Sequence, residues 1–352
     1  MQQEHSGIEI GLYTLGDMEP DPHTGKAIGA YQRTKEIIEA AKLADEAGLD
    51  VFGVGEHHRL DYATSAPPVV LAAIAQATKR IKLTSATTVL GTVDPIRLFE
   101  DFATLDLLSD GRAEIIAGRG AFVESFPLFG YDINDYDTLF SEHLQLFLKL
   151  NENERISWDG HFRSSLRNAE IAPRPLQKQL PLWVGVGGTP ESAARAGRLG
   201  VGMTIAILSG DQLRFKPLVD LYRETGAEAG HPLETLKVGI TGHGYIAKTA
   251  QQALDEFYPY HSNYWSYLHR QRGMDFSLSR ADFEQMTAPE MALFVGSPQQ
   301  IAEKILKQHE LFGNQRFMVQ MDIGGLPYKK VAESIELLAA EVAPIVRKET
   351  SK

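Results

Sequence analysis

Short apolar runs rich in branched residues alternate with longer helical patterns along nearly the whole chain, and this alternation limits the fold more than any single motif. The cycle opens with IEIGLYTLG (8–16), the amphipathic YQRTKEIIEAAKLADEAG (31–48) and DVFGVGEHH (50–58): strand, helix, strand. The first helical pattern sets Ile37, Ile38, Ala41 and Ala44 on one side, with Lys35, Glu39, Lys42 and Glu46 elsewhere. It ends at Gly48, a residue suited to the left-handed conformation that closes a helix. Further strand patterns follow at IKLTSATTVLG (81–91), RAEIIAGRG (112–120), LPLWVGVGG (180–188), VGMTIAIL (201–208), LKVGITGHGYIA (236–247) and RFMVQMDIGG (316–325), with helical patterns after each. That makes eight strands. In a chain of 352 residues, eight strand-helix units predict an α/β protein with a single (β/α)8 barrel, a TIM barrel, better than an open doubly wound sheet. Two stretches break the rhythm as insertions after the fourth and seventh strands: 153–180, and 257–294, which is rich in Tyr, Trp and His. No linker-like composition divides the chain, so residues 1–352 read as one barrel domain.

Composition narrows the partners. A net charge of −11 with no cluster of Lys and Arg disfavours nucleic acid and anionic membranes and points to a small-molecule ligand. The absence of cysteine removes disulfides, thiolate metal sites and cysteine nucleophiles, and is compatible with a reducing cytoplasm. The amino-terminal MQQEHSGIEIG lacks a basic segment followed by an apolar stretch, and no apolar run approaches the roughly 20 residues that span a bilayer. A cytoplasmic protein is expected.

Active sites of parallel barrels are assembled at the C-terminal ends of the strands. Glu56, His57 and His58 stand at such an end, where imidazoles serve either as acid-base groups near neutrality or as polar caps of the strand. Neither HxH nor HExxH spacing is present, and no metal is expected. The fourth strand ends in AGRG, where Arg119 offers a planar cationic fork and Gly118 and Gly120 permit close backbone approach. The fifth ends in Gly187 and Gly188 before a helix with Thr189 as its cap and Pro190 at its first position. An arginine and a glycine-rich helix start on consecutive strands predict a phosphate-bearing ligand such as a mononucleotide. No GxGxxG follows the first strand, and neither GxSxG nor a P-loop occurs, which disfavours a Rossmann dehydrogenase, a serine hydrolase and a nucleoside triphosphatase.

These residues resemble the bacterial luciferase-like flavin-dependent monooxygenases. The resemblance runs through GLDVFGVGEHH, TVLGTVDPIRLFEDFATLDLLSDGRAEIIAGRG (88–120), FPLFGYD, PLWVGVGG and VGSPQQIAEKI. It implies a (β/α) barrel with flavin mononucleotide, FMN, at the strand C-termini, reduced by a separate flavin reductase. It also implies reaction with dioxygen through a flavin C4a-(hydro)peroxide to oxygenate a small organic substrate, and a homodimer. Carried over by residue, it implies that His57 is catalytic with Glu56 beside it, that Arg119 and Gly120 bind the phosphate, and that Gly187 and Gly188 hold phosphate or ribityl oxygens. Ala86 and Thr87 match the pair that carries a non-prolyl cis peptide against the isoalloxazine, here Ala-Thr in place of Ala-Ala. The chain departs from luciferase at Gly118, at Ser125 with Glu124 adjacent, and at the two fifth-strand glycines, so light emission is not implied. Leu12, Val123 and Phe126 are candidates for the substrate side, and Tyr258, His261, Tyr264 and Trp265 for either a lid or one buried helix face. Two other readings stay open: a deazaflavin-dependent hydride-transfer enzyme and a noncatalytic flavin-binding protein.

Overall fold

The computed structural model describes residues 7–271 and 273–351. Residues 1–6, which include most of the amino-terminal segment read above, lie outside the described residues, as do 272 and 352 of the 1–352 span. Eight strands carry the fold: β1 (Glu9–Thr14), β2 (Val51–Val54), β3 (Lys82–Ser85), β4 (Ala113–Gly118), β5 (Leu182–Val186), β6 (Gly202–Ala206), β7 (Val238–Ile246) and β8 (Arg316–Gln320). Each pairs in parallel with the next, and β8 pairs with β1 in the register Glu9 to Arg316, which closes the barrel.

Alternation along each strand sorts the core into two parts. Tyr13, Val51, Ile116, Trp183 and Met318 point inward and fill the barrel. Ile10, Leu12, Phe52, Val54, Ile115 and Phe317 point outward and pack beneath the helices. Leu12 therefore belongs to the strand-helix layer, beside Ile37 and Ile335, and does not face the strand ends as a substrate-side residue. The N-terminal end of the barrel is stoppered by ions. Arg316, 1% exposed, pairs with Glu9 and Glu114 at 2.6 Å each, Lys82 pairs with Glu9 at 2.5 Å, and the guanidinium stacks 4.5 Å from Trp183. A buried pair is sustained only when its partners are fully engaged, as here. Chemistry is thus left to the opposite end.

Three differences from the sequence reading matter for that end. The third run, 81–91, is not one strand: it breaks at a cis Ala86-Thr87 peptide, and Thr88–Val89 resumes against the end of β4. The insertion 153–180 contains an antiparallel hairpin, Arg155–Trp158 with Leu166–Glu170. Its loop is fixed by the Glu142 carboxylate, which accepts from the backbone N–H groups of His161, Phe162 and Arg163 at 2.7 to 3.1 Å. After β7 come the helices Ala250–Gln271 and Arg280–Met286, then a short strand, Phe294–Gly296, that pairs in parallel with the second half of β7. Among the described residues no helix is long and apolar enough to cross a membrane.

Candidate active site at the strand C-termini

Glu56 leaves the end of β2 with both carboxylate oxygens engaged. Oε2 accepts from the Val89 N–H at 3.0 Å and Oε1 meets His58 Nε2 at 2.9 Å. The acid therefore ties β2 to the residues just beyond the cis peptide, and its imidazole partner is the second histidine, not the first. His57, 8% exposed, is held differently: its backbone N–H donates to Thr64 O at 2.9 Å, and its ring lies 4.2 Å from Tyr62 and 5.1 Å, edge-on, from Phe122. Its Nδ1 stands 3.8 Å from Glu124 Oε1, an ion-pair separation longer than a hydrogen bond. Burial raises the Glu124 carboxyl, but His57 and the backbone N–H groups of Glu124 and His58 outweigh it and hold the acid below its ordinary value. Glu124 stays a carboxylate at neutral pH, facing a histidine it can orient.

The cis pair lies where three strands converge. A Cβ added to Gly53 would approach the Ala86 Cβ to 2.8 Å, one on Gly118 would meet Thr87 Oγ1 at 2.5 Å, and one on Gly185 would meet Thr87 Cγ2 at 2.9 Å. Three strand glycines therefore make the space that the Ala86 and Thr87 side chains fill.

On the β4 and β5 side, Arg119 donates to Thr189 Oγ1 at 3.2 Å, pairs with Asp137 and lies 5.0 Å over the Tyr136 ring. Tyr136 in turn donates to the Gly120 carbonyl at 2.8 Å, fixing the loop that follows the arginine. Thr189 occupies the cap position of helix Pro190–Leu199 but makes no side-chain capping bond, because its hydroxyl is turned to Arg119. Around this helix start, Ser192 Oγ and Arg195 Nη1 are buried without a hydrogen-bond partner among the described residues. Burial and the nearby Arg119 lower the Arg195 pKa. A Cβ built on Gly187 or Gly188 meets no described atom within 4 Å, and Gly188 has φ +127°. Two guanidiniums, two hydroxyls and side-chain-free backbone at a helix N-terminus fit a phosphate group, since each polar atom left orphaned here is one that phosphate oxygens satisfy.

The structure thus brings Glu56, His57, Ala86, Thr87, Arg119, Gly120, Gly187 and Gly188 to one end of the barrel. Sequence reasoning missed Asp137, Arg195 and Tyr62, and named Glu124 only as the neighbour of Ser125. Tyr62 meets His57 only because the loop after β2 folds back, and Asp137, Arg195 and Glu124 meet their partners across separate elements, so no spacing announces them. Phe126 is 1% exposed and packs on Tyr136, while Val123 is 55% exposed. Of the aromatic run, His261 and Tyr264 form the buried face of helix Ala250–Gln271, whereas Tyr258 donates to Leu278 O and packs on Phe283. Among the described residues no cluster of three or more His, Cys, Asp or Glu is placed to hold a metal ion.

A closed parallel barrel that gathers a glutamate and two histidines just past β2, and two guanidiniums at a glycine-rich helix start beside β4 and β5, has the architecture of a barrel oxidoreductase. The chain belongs to the luciferase-like monooxygenase family, whose model matches residues 8–315. It is 23% identical over 356 residues to the oxygenase component of flavin-dependent trigonelline monooxygenase from Acinetobacter baylyi, with 96% of this chain and 95% of that protein covered. Among solved structures it is similar to the monooxygenase RslO1 of Streptomyces bottropensis (TM-score 0.81, 23% identity, 96% and 99% of the chains covered). It is also similar to the oxygenating constituent of 3,6-diketocamphane monooxygenase of Pseudomonas putida in complex with FMN (0.78, 21%, 96% and 98%). The coenzyme F420-dependent tetrahydromethanopterin reductase of Methanopyrus kandleri shares the fold (0.72, 19%, 97% and 99%).

Proposed function

We propose that this protein is an FMN-dependent monooxygenase that uses reduced flavin and dioxygen to oxygenate a small organic substrate. The observation that carries the reading is the phosphate cradle. Arg119, Thr189, Ser192 and Arg195 gather donors at one helix start, on the same barrel end as Glu56 and His57. A terminal phosphate monoester matches that set, which favours the mononucleotide over a deazaflavin whose phosphate is esterified on both sides. Bound reduced flavin would supply the activation of dioxygen.

The chain's own residues supply position and protons. Arg119 and Arg195 would anchor the phosphate; Gly120, Gly187 and Gly188 would let backbone approach it; Ala86 and Thr87 would border the flavin ring. His57, oriented by Glu124, holds or releases a proton at the reacting end, and Glu56 ties the end of β2 to the residues beyond the cis peptide, a wall that would border a bound flavin. Tyr62 and Phe122 shield the imidazole from water. A separate reductase delivers the reduced flavin, and two copies of the chain form a homodimer of single-domain subunits in the cytoplasm.

An anaerobic titration with reduced FMN and, in parallel, reduced deazaflavin F420, followed by admission of oxygen in the presence of a panel of small organic substrates, tests the reading. Tight FMN binding that weakens in Arg119→Ala supports it. Binding of F420 alone moves the protein to hydride transfer, and binding of FMN with no oxygenated product leaves a flavin carrier.

A further inference from the structure

The side of the barrel mouth opposite the phosphate cradle holds a group of buried polar side chains that the FMN reading leaves unused. Asp17, just past β1, and Gln320, the last residue of β8, are both 0% exposed and are joined by a bond from Gln320 Nε2 to Asp17 Oδ2 at 2.6 Å. His243 on β7 stands in register with Gln320. Its ring lies 5.1 Å from Tyr264 and 6.5 Å from His261, both on helix Ala250–Gln271. Asp17 also bridges by backbone to Tyr62, whose ring is 4.2 Å from His57. The cluster therefore adjoins the proposed acid-base histidine.

Native proteins leave few buried polar atoms unpaired. Here Asp17 Oδ1, Glu19 Oε2, Gln320 Oε1, both ring nitrogens of His243 and His261 Nδ1 have no hydrogen-bond partner among the described residues. The set is rich in acceptors. Three atoms are carboxylate or amide oxygens, and each neutral imidazole has one acceptor nitrogen, that of His261 being already engaged by the Trp265 indole N–H at 3.1 Å. The charges are equally one-sided. Asp17, Glu19, Glu36 and Asp322 gather around one guanidinium, Arg33, which stands 3.5 Å from Glu36 and 3.9 Å from Asp322. Burial, with Glu19 and Asp322 alongside, raises the Asp17 carboxyl well above its ordinary value, and a cation brought beside it relieves that crowding. Tyr13, Tyr62, Thr241 and Tyr264 keep 6 to 9% exposure.

We infer that this corner between β1, β7 and β8 is the recognition subsite for the organic substrate and takes a hydrogen-bond-donating cationic headgroup, a protonated amine in the simplest case. Asp17 supplies the counter-charge, Gln320 Oε1 and a His243 nitrogen accept the N–H groups, and Tyr62 and Tyr264 pack on the adjoining carbon. The remainder of the substrate then lies toward His57. An aliphatic aldehyde or ketone of the same size leaves these acceptors unpaired, a penalty that discriminates strongly against it.

This assignment rests on the monooxygenase reading for its role but not for its test. Benzylammonium, benzyl alcohol and benzoate are titrated calorimetrically into the full chain, both free of flavin and loaded with FMN, and FMN affinity is measured separately. Benzylammonium is expected to bind at least about tenfold more tightly than the neutral and anionic probes, with that preference lost in Asp17→Asn and in Gln320→Leu. Equal or tighter binding of the alcohol or benzoate, binding of none of the three, or a preference that survives in variants with native circular dichroism overturns it. If Asp17→Asn does not fold, Gln320→Leu and His243→Phe carry the comparison. Failure of FMN binding alone would sink the flavin reading while the amine preference of the flavin-free chain stood.

Discussion

On the FMN reading Arg119 carries the phosphate contact, and Arg119→Ala is expected to weaken reduced FMN binding by about 10- to 100-fold, the range of one charge-assisted contact, as read by anaerobic titration. Asp137 competes for the same guanidinium from an exposed position, its side chain 65% accessible. Asp137→Asn is accordingly expected to leave FMN affinity unchanged or to raise it by up to about fivefold, the worth of an exposed ion pair. Glu124→Gln should lower turnover while sparing FMN affinity, because Glu124 faces His57 and not the phosphate cradle; loss of flavin binding in that variant would contradict the assignment. The placement of Glu56, His57 and Arg119 just past strand ends was legible in the sequence, since each strand pattern there runs out into polar residues. That Glu56 pairs with His58, and that Glu124 reaches back to His57, was not, because those contacts depend on where two loops meet over the barrel mouth.

Among elements, the broken third strand decides the shape of the site. A methyl at Gly118 would fall 2.5 Å from Thr87 Oγ1 and 3.0 Å from Thr87 Cβ. Gly118→Ala is therefore expected to cost about 1–3 kcal/mol in denaturant unfolding and to weaken FMN binding. Adding Thr87→Ala should restore part of both, as contacting sites are not additive. Helix Pro298–Phe312 offers a contrast, since it begins with a capping box in which Ser297 and Gln300 exchange side-chain and backbone bonds. Ser297→Ala should destabilise the protein by about 1 kcal/mol without altering FMN affinity, because that cap makes no contact with the cradle. The alternation of patterns foretold the strands and helices because binary patterning is local. It read 81–91 as one strand, since the branched residues on both sides of Ala86-Thr87 keep a strand-like composition across the break. The hairpin at 155–170 and the short strand at 294–296 were missed because each is made by a partner that composition does not name.

For the whole molecule, closure of the barrel separates a stoppered ionic end from a reactive end, and acidity is unevenly shared between them. Glu19 near the reactive end is raised from 4.5 to about 7 chiefly by burial, with Asp322 and Asp61 adding to it against its own backbone N–H and Arg33. A carboxyl raised on folding favours the native state below its unfolded value, and that contribution is lost as pH rises from about 4.5 through about 7. Thermal unfolding followed across that window should show stability falling more steeply in the wild type than in Glu19→Gln. Glu9 at the stoppered end runs the other way. Burial raises it, but Arg316 and Lys82 prevail and lower it to about 2, so its contribution is present above about 4.5 and disappears as pH falls toward about 2. Whether the reactive end performs oxygenation is decided by loading the protein with reduced FMN, adding ¹⁸O-labelled dioxygen and a panel of small organic substrates, with aldehydes, ketones and thioethers beside primary amines, in a single turnover, and weighing the organic products. An FMN monooxygenase places one labelled oxygen atom in a product from wild type and loses it in His57→Ala. Reoxidation of the flavin with all of the label recovered as hydrogen peroxide or water, for every substrate offered and for both proteins alike, would contradict that function.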